Sequence, residues 1–346
     1  MTINVLLADD SSLARQLLTD LLHESLDVRV IGCACNGRDA VNLTHSLKPD
    51  LVIMDLVMPV LDGLQAIEEI MAGAPTPVLV LSGAVEATEM HLAFNAIRRG
   101  ALDVMEKPDL GHPGTRVDFA CRLLEKVRLL SGIRVIRHPR PRSRLVADES
   151  DRNGPLPNML AIGASTGGPR AVMNVLKSLP AGFPAAVFVV QHIACGFTRG
   201  FATWLDQECA IPVKLALDGA RYHPGEAIIA PDGSHLTVSE GRIKLIQSPP
   251  VNCCRPSIDV FFDSLAQAPC HQVVGLLLSG MGRDGAQGLL HIKQRGGATI
   301  VQDETSCAVF GMPKAAIGLN AANQVLPLET MSAAISRLFT SAERLV

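Results

Sequence analysis

The chain has 346 residues, 48% of them hydrophobic and 19% charged, with 31 basic against 34 acidic side chains. That length suggests two domains, and the composition excludes collagen-like, mucin-like and wholly disordered chains. A net charge of -3 shows no basic excess that would make nucleic acid the main partner.

Apolar runs such as residues 185–190 fall far short of the ~18 residues that a membrane-spanning helix needs, so no membrane insertion is expected. The N-terminus, MTINVLLADD, has neither a basic n-region nor a cleavage site; it does not read as a signal peptide, and a cytoplasmic protein is expected. The nine cysteines lack framework or zinc-knuckle spacing, which reads as reduced thiols.

In chain order, short apolar runs predict strands over 4–8, 28–34, 51–55, 78–82 and 102–105. Amphipathic stretches lie between them. In 12–23, for example, Leu13, Leu17, Leu18, Leu21 and Leu22 share one face. Five strand–helix units imply a parallel sheet covered by helices on both sides. Residues 134–158 then carry six arginines and four prolines with little periodicity, the signature of a linker. Beyond it, strands are predicted at 159–163, 185–190 and 273–278, and helices at 169–178, at 199–208 and from about 284. A hairpin is predicted from 236–238 and 243–246 around Ser-Glu-Gly-Arg. The expected organisation is a first α/β domain over 1–130, a linker over 131–158, and a doubly wound α/β domain with an antiparallel addition over 159–346.

In a parallel sheet, functional groups collect outside the carboxyl ends of the strands. Asp9 and Asp10 follow the first predicted strand, Asp55 ends the third, Ser82 the fourth, and Lys107 follows the fifth in Glu-Lys-Pro. One strand-end acid alone reads as a helix N-cap, and Asp10-Ser11-Ser12 has that look. Acids at two strand ends, joined by a serine and a lysine at two more, point instead to a site. Converging carboxylates repel one another, and a hard divalent cation such as Mg²⁺ relieves this. Lys107 supplies a point charge for a phosphoryl group, and Ser82 a hydroxyl for one of its oxygens.

The motifs Leu-Ala-Asp9-Asp10-Ser, Ile-Met-Asp55-Leu-Val-Met-Pro59-Val-Leu-Asp62-Gly63, Leu-Ser82 and Glu-Lys107-Pro108 resemble the receiver domain of two-component response regulators over residues 2 to about 130. The resemblance implies a (βα)5 fold and phosphorylation of Asp55 by a histidine kinase. It also implies Mg²⁺ held by Asp9 or Asp10, Asp55 and the backbone carbonyl of Val57. Receivers often place an aromatic switch residue where this sequence has Val104.

In the second domain, Gly163-Ala164-Ser165-Thr166-Gly167 joins a strand to a helix. It fits a nucleophile elbow, a phosphate-binding turn or a plain helix cap. A P-loop and a dinucleotide fingerprint are both absent. A serine nucleophile needs a base oriented by a carboxylate. Of the histidines weighed, only His192 directly ends a predicted buried strand. His223, His235, His271 and His291 read as solvated turn, hairpin or helix positions. For the acid, Asp284 follows a buried strand, while Asp259 reads as a helix-terminal residue and Asp232 as a turn residue. In the resulting mechanism His192 takes the Ser165 proton as Ser165 attacks an ester carbonyl. The turn around Met281, or the Thr166 amide, would donate to the oxyanion. The order Ser165, His192, Asp284 is not that of α/β-hydrolases.

A receiver, a basic linker and a Gly-Ala-Ser-Thr-Gly-Gly domain together resemble the chemotaxis protein-glutamate methylesterase family. The resemblance covers almost the full chain, through Gln191-His192, Ile229-Ala230-Pro231, Pro249-Pro250-Val251-Asn252, Arg255-Pro256-Ser257-Ile258-Asp259 and Gly280-Met281-Gly282-Arg283-Asp284-Gly285. It implies hydrolysis of glutamate γ-methyl esters on chemoreceptors, with deamidation of certain glutamines. It implies Ser165, His192 and Asp284 as the triad, the backbone at Met281 as an oxyanion donor, and no cofactor for the ester chemistry. It also implies a cleft that the unphosphorylated receiver covers. Cys253-Cys254, a departure from more polar residues in the family, is expected not to touch the triad. The rival readings are a non-enzymatic scaffold or phosphate sink, a DNA-binding regulator and a small-molecule esterase. No helix-turn-helix signature supports the second, and a receiver upstream disfavours the third.

Overall fold

Aliphatic and β-branched runs bounded by turn residues make the strands, and the central ones are buried along their whole length, as in Leu51–Asp55, Val78–Ser82 and Met159–Ala164. Burial on both faces is what a parallel sheet between two helix layers requires. The computed structural model describes residues 2–83, 87–107, 113–133, 158–267 and 273–340. Of the linker expected over 131–158, residues 134–157 lie outside them, as do Pro108 and His271. The chain divides into two units, Met1–Pro139 and Arg140–Val346.

The first unit alternates β1 (Ile3–Ala8), α1 (Ser12–His23), β2 (Val28–Ala34), α2 (Gly37–Leu47), β3 (Leu51–Asp55), α3 (Gly63–Gly73), β4 (Val78–Ser82), α4 (Ala87–Arg99), β5 (Asp103–Glu106) and α5 (Pro113–Ser131). The strands pair in parallel in the order β2-β1-β3-β4-β5. Side-chain caps start three of the helices: Ser11 accepts from the Ala14 amide, Asn36 from Asp39 and Asp62 from Gln65. The side-chain cap of α1 is thus Ser11 and neither of the two aspartates before it. Leu18, Leu21 and Leu22 of α1 pack with Phe119, Leu123 and Val127 of α5 in one core, whereas Leu13 is exposed. The last strand runs one residue later than its apolar pattern suggests.

The second unit contains β6 (Met159–Ala164), α6 (Gly168–Lys177), β7 (Ala186–Gln191), α7 (Thr198–Glu208), β8 (Val213–Leu215), β9 (Ala227–Ile229), β10 (His235–Ser239), β11 (Arg242–Ile246), α8 (Ile258–Gln267), β12 (Val273–Leu277), α9 (Ala286–Gln294), β13 (Ala298–Gln302), α10 (Met312–Gly318), β14 (Gln324–Leu326) and α11 (Leu328–Thr340). Seven strands pair in parallel in the order β14-β13-β12-β6-β7-β9-β8, and β10–β11 form a separate antiparallel hairpin. The chain leaves β6 toward β7 and later returns on its other side as β12. That reversal is a topological switch point, where the carboxyl ends of neighbouring strands open a crevice.

Candidate functional site

The crevice at β6 is built from the three central strands. Ala164 of β6 is in register with Gln191 of β7, and Gly163 with Leu277 of β12. Ser165 and His192 therefore leave adjacent strands side by side, and the His192 amide donates to the Ala164 carbonyl at 2.9 Å. Gln191, buried beneath them, donates from Nε2 to the carbonyls of Ser165 and His192, at 2.8 Å each. The Ser165 amide donates to the Ser279 carbonyl beyond β12. These bonds lock both turns to one another and leave the Ser165 hydroxyl without a hydrogen-bond partner among the described residues.

The imidazole of His192 is oriented by Asp284, whose Oδ2 lies 2.9 Å from Nε2. The Asp284 carboxylate is buried and closes a dense set of donors. The Ile258 amide (2.6 Å) also meets Oδ2. Oδ1 accepts from the Ser257 hydroxyl (2.7 Å), Asn252 Nδ2 (2.9 Å) and the Asp259 amide (3.2 Å). Two of these amides are the first of α8, so the helix N-terminus is aimed at the carboxylate. Burial by itself raises a carboxyl pKa, but the bonds from His192, Asn252 and Ser257 outweigh it and hold Asp284 below its ordinary value. An ionised Asp284 accepting from Nε2–H leaves the Nδ1 lone pair of His192 as the base.

Asp259, the rival acid, is buried as well but faces elsewhere. It accepts from the Gly288 amide and from Asn252 Nδ2, both at 2.8 Å, and burial pushes its carboxyl up. Asn252 thus bridges the two aspartates. Asp232 accepts from the Gly196 amide at 2.6 Å. His223 is exposed, and His291 pairs with Asp263 at 2.6 Å. His235 departs from expectation. It is fully buried, with Nδ1 accepting from the Ser257 amide and Nε2 facing the Pro249 carbonyl, both at 3.1 Å. It ties the 249–257 segment to the helix end that holds Asp284. The hairpin pattern, which marks β10, could not show that the 249–257 segment covers it.

The turn around Met281 stands beside Ser165. The Gly280 backbone approaches so closely that a Cβ there would lie 2.4 Å from Met312 Sδ and 2.7 Å from Ser165 Cβ, so only glycine fits. Ser279 anchors the turn from inside: its hydroxyl donates to the Thr166 carbonyl at 2.8 Å, and its amide to Gln302 Oε1 at 2.8 Å. The Met281 and Thr166 N–H groups donate to no acceptor among the described residues. Ser257, Asn252, Ser279 and Gln302 carry no sequence signal of their role beyond their motifs, because the contacts that build the site, such as Asn252–Asp284, Ser279–Gln302 and Ser279–Thr166, span 32, 23 and 113 residues.

One expectation about the crevice is overturned: Cys254 touches the triad. Asn252 and Cys253 both take positive φ (51° and 62°), and Val251 and Cys254 exchange backbone hydrogen bonds across them. This two-residue hairpin turn reverses the chain and places Cys254 Sγ 3.6 Å from His192 Nδ1.

In the first unit, the strand ends gather the expected groups. Lys107 Nζ lies 2.8 Å from Asp55 Oδ2 and 3.0 Å from Asp9 Oδ2. Asp9, Asp10 and Asp55 present carboxylate oxygens within 4.8 Å of one another. Burial pushes the Asp55 carboxyl up, with the neighbouring Asp9 charge adding to it and Lys107 opposing it. Burial works against the Lys107 ammonium, but Asp55 and Asp9 hold its pKa above the ordinary value. Three carboxylates facing one lysine leave surplus negative charge and oxygen-only donors, the set that suits Mg²⁺. Asp55, Val57, Ser82 and Lys107 line a cleft of about 140 Å³. Gly63 lets the start of α3 approach the end of β3, since a Cβ there would lie 2.2 Å from the Asp55 carbonyl oxygen. Val104 is buried in β5.

Comparison with known proteins bears on both units. Residues 160–335 match the family model described as CheB methylesterase, and residues 5–111 the response regulator receiver domain. A protein-glutamate methylesterase/protein-glutamine glutaminase of Anaeromyxobacter dehalogenans is 44% identical over 97% of both chains. One from Nitrosospira multiformis is 39% identical, again over 97% of each. Among solved structures, the Thermotoga maritima CheB methylesterase catalytic domain aligns with a TM-score of 0.51 at 37% identity, covering 53% of this chain and 98% of that one.

Proposed function

The chain belongs to the CheB methylesterase family, with a response regulator receiver domain ahead of its esterase domain, and from that premise we propose that it hydrolyses glutamate γ-methyl esters on chemoreceptors and deamidates specific receptor glutamines, under control of Asp55 phosphorylation. The observation that carries the ester chemistry is an imidazole whose Nε2 is held at 2.9 Å by a buried carboxylate, at the end of the strand next to the one that Ser165 follows.

Ser165 Oγ attacks the ester carbonyl carbon while His192 Nδ1 takes its proton. Asp284 stabilises the imidazolium through Nε2. The oxyanion accepts from the Met281 N–H, with the Thr166 N–H as a second donor. Collapse breaks the bond to the methoxy group, which leaves as methanol with the proton from His192. Water then attacks the acyl-Ser165, gives its proton to Nδ1, and the glutamate carboxylate departs as Ser165 regains a proton. For a glutamine the leaving group is ammonia. The direct Ser165–His192 hydrogen bond forms with substrate in place, as such bonds often tighten only in the complex.

In the receiver, an Asp55 carboxylate oxygen attacks the phosphorus of a histidine kinase's phosphohistidine, the P–N bond breaks, and the kinase's imidazole leaves. Lys107 Nζ and the Ser82 hydroxyl then hold phosphoryl oxygens. Asp9, Asp10, Asp55 and the Val57 carbonyl would hold Mg²⁺, which when bound neutralises charge on the incoming phosphoryl group. A bias of a few kcal/mol from phospho-Asp55 suffices to turn most of a repressed population into an active one. Among the described residues no helix is long and apolar enough to cross a membrane; the enzyme would act from the cytoplasm on its receptors.

Methanol release from methylated chemoreceptor membranes tests this reading, using wild type and Ser165→Ala with and without Mg²⁺ and a small phosphodonor. Release that requires Ser165 and rises with the phosphodonor is expected. No release under any condition would favour the scaffold or phosphate-sink reading.

A further inference from the structure

Cys254 gives the catalytic imidazole a second neighbour. Its Sγ lies 3.6 Å from His192 Nδ1 and 3.4 Å from the Asn252 carbonyl. A tetrahedral zinc ion, with Zn–S of about 2.3 Å and Zn–N of about 2.0–2.1 Å, sets its sulfur and nitrogen ligands about 3.5 Å apart. The spacing between thiol and imidazole is therefore that of two ligands on one ion, before any side chain moves. His192, Cys254 and Asp284 cluster closely enough for a metal site, but Asp284 sits on the opposite edge of the ring, at Nε2. Its place is the outer one: zinc-bound histidines characteristically donate their other ring N–H to a carboxylate, which fixes the ring and raises its basicity. Asp284 meets that description, and Ser257, Asn252 and Ile258 hold it in turn.

The thiol is a poor nucleophile as it stands. Burial, with Asp284 and Cys253 adding, pushes it up to about 12, so it is protonated at neutral pH. A bound cation reverses that logic, because a coordinating thiol gives up its proton outright. The turn at Asn252 and Cys253 fixes Cys254 against the imidazole, so the two ligands are preorganised.

We propose that His192 Nδ1 and Cys254 Sγ form a binding site for Zn²⁺, or a similarly thiophilic divalent cation, that reversibly silences the esterase. One proton leaves Cys254 to solvent as the Zn–S bond forms. The Nδ1 lone pair is donated to the metal, so it cannot accept the Ser165 proton, and water completes the coordination. The silencing rests on His192 acting as the base; the binding itself rests on geometry alone.

The test uses full-length protein stripped with a chelator and kept in excess Mg²⁺, which occupies the oxygen-only receiver site. Co²⁺ is added as a spectroscopic probe, then Zn²⁺, to wild type, Cys254→Ser and Cys253→Ser. A thiolate-to-cobalt charge-transfer band is expected in wild type and Cys253→Ser, abolished by Zn²⁺. In Cys254→Ser the band should be missing, with at least about a tenfold loss of Zn²⁺ affinity. Methanol release by wild type should fall with Zn²⁺ and recover with chelator, while Cys254→Ser should need at least about tenfold more Zn²⁺ for the same fall. Absence of the band in wild type, or its persistence in Cys254→Ser, overturns the site. A band that obeys these rules in protein that never releases methanol supports the site while refuting the esterase reading.

Discussion

Replacing Asp284 by Asn tests the electrostatic frame of the crevice. The carboxylate accepts from five donors, His192 Nε2 and the Ile258 amide at Oδ2, and Ser257 Oγ, Asn252 Nδ2 and the Asp259 amide at Oδ1. An asparagine must put its own NH₂ on one of these sides. Toward Oδ2 it opposes the Ile258 N–H and forces His192 to accept at Nε2. The imidazole then carries its proton on Nδ1 and has no lone pair for Ser165. Toward Oδ1 it opposes the Asp259 N–H and the Asn252 amide. Either way a buried backbone N–H loses its partner, at about 1–3 kcal/mol, and the imidazolium loses its counter-charge. In a Ser-His-Asp protease the equivalent change costs about 10⁴ in kcat through the wrong tautomer, and a fall of that order is expected here in methanol release. Stability should drop with a definite pH signature. Asp284's folded pKa is depressed, so its contribution is complete above the unfolded carboxyl value near 3.9 and is lost as pH falls through the lower folded value. The gap in urea-unfolding free energy between wild type and variant should therefore be widest at neutral pH and shrink in acid. A variant within tenfold of wild-type kcat would refute the assignment of Asp284 as the orienting acid.

Other substitutions probe other links. Gly280→Ala places a Cβ against Met312 Sδ and Ser165 Cβ; overpacking of about 1–3 kcal/mol should lower the thermal midpoint and displace the Met281 turn, and unchanged kcat would show that the turn has no part in catalysis. His235→Leu strands the Ser257 amide and the Pro249 carbonyl, so kcat and unfolding free energy should both fall, by about 1–3 kcal/mol for each unpaired group, with His235→Gln recovering part of the loss. In the receiver, burial and the Asp9 charge raise the folded pKa of Asp55, so its ionised form is destabilising once pH rises above the window between its unfolded and folded values. Asp55→Asn should thus raise the receiver's melting midpoint in chelator at neutral pH, blunt its stabilisation by Mg²⁺, and remove the response to phosphodonor; an unchanged Mg²⁺ shift in calorimetry would show that the ion binds elsewhere.

Much of the site was legible in the sequence because parallel sheets convert local pattern into location. A buried run followed by a turn and an amphipathic helix puts the residue after the run at the carboxyl edge of the sheet, wherever the strand lies in it. Asp9, Asp55, Ser82, Lys107, Ser165 and His192 could all be placed that way, from a few neighbours each. Short elements were less legible: β8, β9 and β14 have three residues each, too few for a period to show. Only the tertiary structure decided what those edges meet. That Asp284 and not Asp259 faces the imidazole depends on how α8 and its preceding turn dock, since Ser257 and the first amides of α8 select one carboxylate. The burial of His235 and the approach of Cys254 to His192 come from the same fold-back of the 249–257 segment. Contacts such as His192–Asp284 span 92 residues, and packing across that distance leaves no periodicity in the chain to read.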